Sequence, residues 1–330
     1  MGFGRARKYR RSMTETLRTL AVPPLGSLPL ARAGSDRDGA SRTSEQFLDS
    51  LWSLGTTRVL PVARGKAPVL GTALRLFTPQ EIQRPALSVY LGRINEGSAD
   101  AGLHVVAAVL DEPRTALAPA EEWCGLRDVA AGLDARDAGL FVEAVAIANW
   151  HATHTHCPRC GTPTVPRDAG WVRQCPADSS QHYPRTDAAI IVSVIDDDDR
   201  LLLGSAAAWP ENRFSTLAGF VEPGESLEAA VVREVGEESG IEVHSPQYLG
   251  SQPWPFPASL MLGFTARATN TDVVPDREEI RSLRWFTRAE LFEEVRNETI
   301  AVAGGVSIAR ALIERWYGGP LDEQPSEVRP

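Results

Sequence analysis

The chain alternates between two hydrophobic rhythms. Segments 56–65, 67–78, 87–94 and 103–110 carry short apolar runs divided by turn formers, a pattern of strands. Residues 137–156 instead return an apolar side chain every three or four positions, which predicts a helix. Together they predict a β-rich N-terminal domain over 46–156 that closes on a helix. From Asp187 an apolar run, an Asp-rich turn and a second apolar run predict a hairpin. Further strands are expected at 243–254, 259–269 and 283–287, a short helix at 288–295, and a last helix near Ser307–Trp316. Residues 1–45, rich in Arg, Ser, Gly and Pro, are expected to be disordered or extended, and 321–330 to form a tail. The parts between are a compact segment at 157–185 and a second domain at 186–320.

One helical stretch breaks the usual division of polar from apolar. With Ser226 as N-cap and Gly240 as stop, Leu227, Ala230, Val231, Val235 and Ile241 share one stripe. Glu234, Glu237 and Glu238 continue that stripe, whereas Glu225, Glu228, Arg233 and Gly236 fall outside it. Most Glu runs are solvated helix ends. Acids on an inward face are different, because buried anions are costly unless paired or metal-bound. Glu234 and Glu238 lie one turn apart and can reach the same ion. An all-oxygen, carboxylate-rich site suits Mg²⁺ or Mn²⁺ rather than zinc. Arg233, off the stripe, is placed to pair with a neighbouring glutamate, while Gly219 and Gly224 permit tight turns.

Composition narrows the class without changing this picture. The 330 residues are 43% hydrophobic and 23% charged, which suits a globular protein with two sizeable cores. A net charge of −9 argues against broad electrostatic binding to nucleic acid. No apolar run reaches the roughly 18–20 residues that span a bilayer, so no membrane partner is expected. The basic start, Arg5 to Arg11, has no apolar stretch after it and does not read as a signal peptide; Met13 is an alternative initiator. Of four cysteines, Cys157, Cys160 and Cys175 cluster and Cys124 stands apart, a usage that predicts a cytoplasmic protein.

The C-x-x-C pair Cys157–Cys160 can supply two thiolate corners of a tetrahedral zinc site, with Cys175 a third. A redox pair is the alternative, but no βαβ context surrounds it. A second C-x-x-C would place the fourth ligand at 178, where this chain has Asp178; His182, His154 and His156 are rivals. Farther on, Ser251 to Met261 reads SQPWPFPASLM. Its alternating prolines stiffen the backbone and fix Trp254 and Phe256, whose faces suit base stacking. A proline-rich connector with two core aromatics explains the composition equally well.

The spacing Gly219, five residues, Glu225, seven residues, then Arg233-Glu234-Val235-Gly236-Glu237-Glu238-Ser239-Gly240-Ile241 resembles the Nudix box. At residue frequencies of about 7%, seven fixed positions match by chance on the order of once in a million such chains, too rarely to be coincidence. SQPWPFPAS beyond the box, the ribbon ahead of it and His182-Tyr183-Pro184-Arg185 resemble the NADH pyrophosphatase branch of that family. The resemblance implies an α+β fold, a Nudix α/β/α sandwich with mixed sheet, preceded by a zinc ribbon and the β-rich domain.

It further implies metal-dependent hydrolysis of NADH, and less well NAD⁺, to NMNH and AMP, extending to removal of NAD caps from RNA 5′ ends. Glu234 and Glu238 would bind Mg²⁺ or Mn²⁺, with Glu237 as ligand or water-activating base. The Ala218 carbonyl and Glu279 (Glu278 its rival) complete that set. Structural zinc would sit on Cys157, Cys160, Cys175 and Asp178. The dinucleotide pocket would use Gln252, Pro253, Trp254, Pro255, Phe256, Pro257, Ala258 and Ser259, with Tyr183, Ala309 and Arg127. The family pattern also implies a homodimer. Two departures are evident: Asp178 replaces the last ribbon cysteine, and Gly170 stands where related chains can carry an acidic contact. An ADP-ribose or nucleotide-sugar diphosphatase is the nearest alternative. A non-catalytic dinucleotide sensor is the next, although such modules usually lose box acids and all of them stand here.

Overall fold

The computed structural model describes residues 24–95 and 100–322. In its N-terminal part, β1 (Ser35–Asp36), β2 (Arg58–Ala63), β3 (Lys66–Leu70), β4 (Ala73–Leu74), β5 (Leu87–Ile94), β6 (His104–Leu110) and β7 (Trp123–Gly125) form one sheet. Its order is β1-β5-β6-β2-β3-β4, with β7 on β3. Only β2 and β6 run parallel. Helix α1 (Phe47–Ser53) brings Leu51 against Tyr90 and Val106. Helix α2 (Ala135–Thr153) packs Phe141 and Val145 against Leu60, Val62 and Leu91. With both faces covered, β2, β5 and β6 are buried along most of their length, which is why their sequences read as runs rather than alternations. Each such aliphatic side chain contributes about 1.5–3 kcal/mol. Asp134 caps α2 by accepting from the Asp137 N–H.

The expected disorder before residue 45 needs correction for 24–45. Leu28 and Leu30 are buried, β1 pairs with β5, and the Arg32 guanidinium donates to the carbonyls of Ala130 and Leu133. Two leucines in a polar stretch suffice to dock it, a signal that composition averages away. The expectations for 1–23, Met13 included, and for 323–330 lie outside the described residues. Within the expected tail, Leu321 is buried.

A small ribbon follows, with strands β8 (Val165–Arg167), β9 (Val172–Gln174) and β10 (Gln181–His182). The second large sheet contains β11 (Asp187–Ile195), β12 (Leu201–Ala206), β14 (Leu217–Phe220), β15 (Val243–Trp254), β16 (Ser259–Ala268) and β17 (Ile280–Phe286). The order is β15-β16-β11-β12-β17, with β14 also on β11. Strands β11 and β16 are parallel and the rest antiparallel, so the sheet is mixed. A separate pair, β13 (Arg213–Phe214) and β18 (Ala301–Val302), flanks it. The hairpin expected from Asp187 is present but short: β12 pairs only with Val194 and Ile195, because β14 takes Ala189 to Val192.

Helix α3 (Leu227–Ser239) packs on Ile190, Val192 and Val194, while α5 (Ile308–Tyr317) packs on Ile191 from the other side. Alternate residues of β11 thus face opposite helices, as a period of two requires. Helix α4 (Arg288–Arg296), closed by a Thr287–Glu290 capping box, covers one end. The result is an α/β/α sandwich.

Candidate active site

Helix α3 starts where the Ser226 hydroxyl accepts from the Ala229 N–H and stops at Gly240, whose φ of 69° favours glycine. That frame fixes the rotation of its acids. Glu238 is buried, and Glu234 is half-buried beside β14. A Cβ on Gly219 would lie 2.0 Å from the Glu234 Cδ, so the glycine makes room for that carboxylate. Glu237 corrects the expectation of three inward acids. Its side chain is 63% exposed and reaches Arg233 at 3.0 Å, because the stripe's edge already faces water.

Arg233 organises the loop ahead of the helix. It contacts both Glu225 oxygens at 2.6 and 3.1 Å, donates to the Phe220 carbonyl at 2.9 Å, and reaches Glu234 at 2.9 Å. Glu225 also accepts from the Glu222 N–H at 2.8 Å. The Glu225–Arg233 fork is bidentate, which fixes orientation as well as charge.

Glu238 has the opposite surroundings. Burial pushes its carboxyl up to about 8, and Glu234, Glu279 and Asp276 push the same way; a backbone hydrogen bond at Ala218 opposes them. Burial likewise raises Glu234, with Arg233 acting against it. Glu238 Oε2 is buried without a hydrogen-bond partner. An orphaned carboxylate oxygen among like charges is what a cation-binding cluster looks like before its cation is considered, and the hard oxygen donors fit a divalent ion.

Glu238 and Glu279 open onto a cavity of about 520 Å³. Ala218, Glu238, Glu279, Arg127, Trp254 and Ala309 all line it. Arg127 stands over the Phe256 ring at 4.0 Å and the Trp254 ring at 5.1 Å, so the two domains meet there. Glu234 and Glu237 do not line the cavity, and Glu278 is exposed outside it.

Part of the expected substrate loop faces elsewhere. Gln252 is buried, its amide donating to the Val306 carbonyl at 2.9 Å and accepting from the Leu30 N–H at 3.2 Å. Pro253, Ala258 and Ser259 line a smaller cavity of about 190 Å³, while Phe256 and Pro257 border an open groove, and Pro255 borders both. Tyr183 is exposed and donates to Gln181. Unanticipated cavity residues are Trp209, Arg213, Thr216 and the Gly304–Gly305 turn. Two adjacent glycines before a Ser-capped helix were the available signal for that turn.

In the ribbon, one ligand atom each from Cys157, Cys160, Cys175 and Asp178 lies within 4.8 Å of the others. Burial raises the Cys157 thiol, yet hydrogen bonds from Ser180, the Arg159 and Cys160 backbone and His182 outweigh it, bringing it down to about 6. Burial pushes Cys175 up to about 11. Hydrogen bonds from Ser180 hold Asp178 down at about 2. Three sulfurs and a carboxylate form a closed set that fits a structural zinc. His154 instead contacts the Trp150 carbonyl, His156 the Thr155 hydroxyl and His182 the Ser180 hydroxyl. Gly170, with φ of 92°, abuts Val89, where a Cβ would approach to 2.8 Å.

Three family models match consecutive parts of the chain. The NADH pyrophosphatase-like rudimentary NUDIX domain covers residues 58–150, the NADH pyrophosphatase zinc ribbon domain 152–183 and the NUDIX domain 184–303. NAD-capped RNA hydrolase NudC of Mycobacterium bovis is 38% identical over 316 residues, spanning 88% of this chain and 96% of its own length. The chain belongs to the Nudix hydrolase family, in its NADH pyrophosphatase branch. NAD-capped RNA hydrolase NudC of Stutzerimonas stutzeri is 42% identical over 64% of this chain and 73% of its own. NAD-capped RNA hydrolase NUDT12 of Macaca fascicularis is 39% identical over 56% and 42% respectively. Within this Nudix chain, the rudimentary domain supplies six of the seven strands of the first sheet and brings Arg127 to the cavity. No helix among the described residues is long and apolar enough to cross a membrane.

Proposed function

We propose that the protein hydrolyses the pyrophosphate of NADH, and less well NAD⁺, to NMNH and AMP, and removes NAD caps from RNA 5′ ends. The observation that carries this reading is the orphaned Glu238 oxygen, in a cavity that Arg127 and Trp254 also line. Relatives named NAD-capped RNA hydrolase support the same substrate class. Mg²⁺ or Mn²⁺, when bound, would neutralise phosphate charge and acidify an attacking water. Glu234, Glu238, Glu279 and the Ala218 carbonyl would hold it. Glu237, solvent-facing and steadied by Arg233, would serve as the base for that water. Trp254 and Arg127 orient one base of the dinucleotide, and Ala309 packs at the cavity floor. Gln252 shapes the pocket from behind rather than touching substrate.

Structural zinc on Cys157, Cys160, Cys175 and Asp178 holds the ribbon between the two sheets. A homodimer belongs to the same reading. The free cysteines accord with a reducing, cytoplasmic setting. Product analysis tests the whole: purified protein with Mg²⁺ or Mn²⁺ is given equimolar NADH, NAD⁺, ADP-ribose and NAD-capped RNA. NMNH with AMP from NADH, and 5′-monophosphate RNA from the capped substrate, are expected. Faster turnover of ADP-ribose than of NADH would replace the assignment.

A further inference from the structure

A separate cavity of about 350 Å³ lies on the α5 side of the second sheet. Ser193 of β11 and Arg315 and Trp316 of α5 line it, and none of the acids of the candidate active site does. Ser193 is 2% exposed and its hydroxyl has no partner. A buried hydroxyl without a bond is costly, and a bound group that accepts from it removes that cost. The charges around it do not cancel. Asp199, the one acid in the lining, is matched by Arg288 at 2.5 Å. Arg288 is itself locked in place, donating to the Trp316 carbonyl at 2.8 and 3.0 Å. Arg315 has no acid within ion-pair distance among the described residues; its bond is to the Pro24 carbonyl at 3.2 Å. Two guanidinium groups against one carboxylate leave a net positive charge. Asp199 and Arg315 are both exposed, which gives the cavity access to solvent.

We propose that this cavity binds a phosphate group, free or carried by a nucleoside monophosphate. Arg315 supplies the charge and the Ser193 hydroxyl donates a hydrogen bond. A guanidinium is always charged and its fork of N–H donors suits phosphate oxygens, while bonds to an ionised acceptor are about twice as strong as neutral ones. Ile195, Leu249 and Leu312 form apolar walls, which strengthen that attraction. The site is distinct from the acidic cluster but shares its scaffold. Ile191, two residues before Ser193 on the same face of β11, lines the catalytic cavity, and so do Ile308 and Ala309 in the first turn of α5. Leu312, Arg315 and Trp316, later in the same helix, line this one. Ile191, Leu249, Ala309 and Leu312 belong to one apolar cluster, so the two cavities have a common wall. The anion site stands on its own geometry; only AMP as the monophosphate that reaches it rests on the pyrophosphatase reading above.

Calorimetric titration of the full chain with inorganic phosphate tests this. One phosphate per chain is expected to bind the wild type. Arg315→Ala should weaken it about tenfold, the size of one charge-assisted contact, and Ser193→Ala severalfold. Glu238→Gln should leave it unchanged. Because the Ser193 hydroxyl bonds to nothing in the fold, Ser193→Ala should not lower the unfolding midpoint, so its loss of affinity reads the site rather than the fold. Displacement of phosphate by AMP but not by adenosine would identify the nucleotide phosphate as the ligand. Phosphate that AMP does not displace would identify the free anion. Absence of phosphate binding would overturn the proposal, and so would binding untouched by both Arg315→Ala and Ser193→Ala. Affinity that changes in Glu238→Gln as much as in Arg315→Ala would move the anion to the active site and overturn it too. If the protein cleaves no dinucleotide yet binds phosphate through Arg315, the functional reading fails while this site stands.

Discussion

Glu143 on α2 and Glu238 on α3 invite comparison, because each is a buried glutamate on a helix packed against a mixed sheet. They are 4% and 5% exposed. Burial raises both carboxyls, Glu143 to about 7 and Glu238 to about 8. Their neighbours differ in sign. Glu143 has Arg37 at 3.1 Å and the charge of Arg42 beyond it. The Arg37 contact is close but not aligned as a hydrogen bond, so its attraction is coulombic. Glu238 faces Glu234, Glu279 and Asp276. A buried acid answered by arginine holds two segments together. A buried acid surrounded by acids must keep its proton or gain a cation. Burial alone therefore does not distinguish the two carboxyls; the charge around them does.

Glu238→Gln and Glu143→Gln break this contrast most directly. The first should lower kcat by on the order of 10³ or more, equivalent to about 4 kcal/mol of transition-state stabilisation. The second should leave kcat within about threefold. Equal losses in steady-state assays would mean that the contrast has no functional content. Circular dichroism should show both variants folded.

Gly219→Ala attacks the same cluster through its packing. The new methyl group would displace the Glu234 carboxylate, the far end of a flexible side chain, so stability should change little. Mn²⁺ affinity, read by calorimetry or spin-resonance titration, should fall about 10–100-fold. Unaltered affinity would place Glu234 outside the cation site.

Glu143 also predicts a dependence on pH. Between pH 4.5 and about 7 the folded protein keeps the Glu143 proton while the unfolded chain has lost it. Its contribution to stability is therefore greatest below 4.5 and declines as pH rises through that window, by on the order of 3 kcal/mol at most. Urea unfolding at several pH values should show this slope in wild type and a flatter one in Glu143→Gln. Parallel slopes would assign the proton elsewhere. The smallest effect concerns an exposed acid. Asp178→Cys, which restores a fourth sulfur, should raise resistance to zinc chelators severalfold and leave kcat unchanged. A fall in zinc content would remove Asp178 from the ligand set.

How much of this was legible in the residues depends on the range of the interaction. Strands β2, β5 and β6 and helices α2, α3 and α5 follow local periodicity, so their segments could be read directly. The acid stripe was visible too, but the outward turn of Glu237 was not. It depends on Arg233 drawing that carboxylate toward Glu225, an arrangement set by a loop rather than by helical spacing. Gln252 looked like a substrate contact from its place in the SQPWPFPAS motif, yet its partners are Leu30 and Val306, hundreds and tens of residues away. Trp209 and Arg213 sit in an unremarkable turn. Long-range contacts bring them to the cavity: Arg213 pairs with Ala301 of β18, and Arg281 donates to the Trp209 carbonyl.

The Gln252 amide has a consequence for modularity. One side chain clasps the N-terminal segment at Leu30 with its oxygen and the α5 loop at Val306 with its nitrogen. The cavity wall at Val306 is thus a keystone joint of three distant chain portions, not a property of the sandwich by itself. Excising that sandwich would keep its acids in register while removing the Leu30 end of this clasp, so a shortened chain would keep the acidic cluster and lose one support of the cavity at Val306.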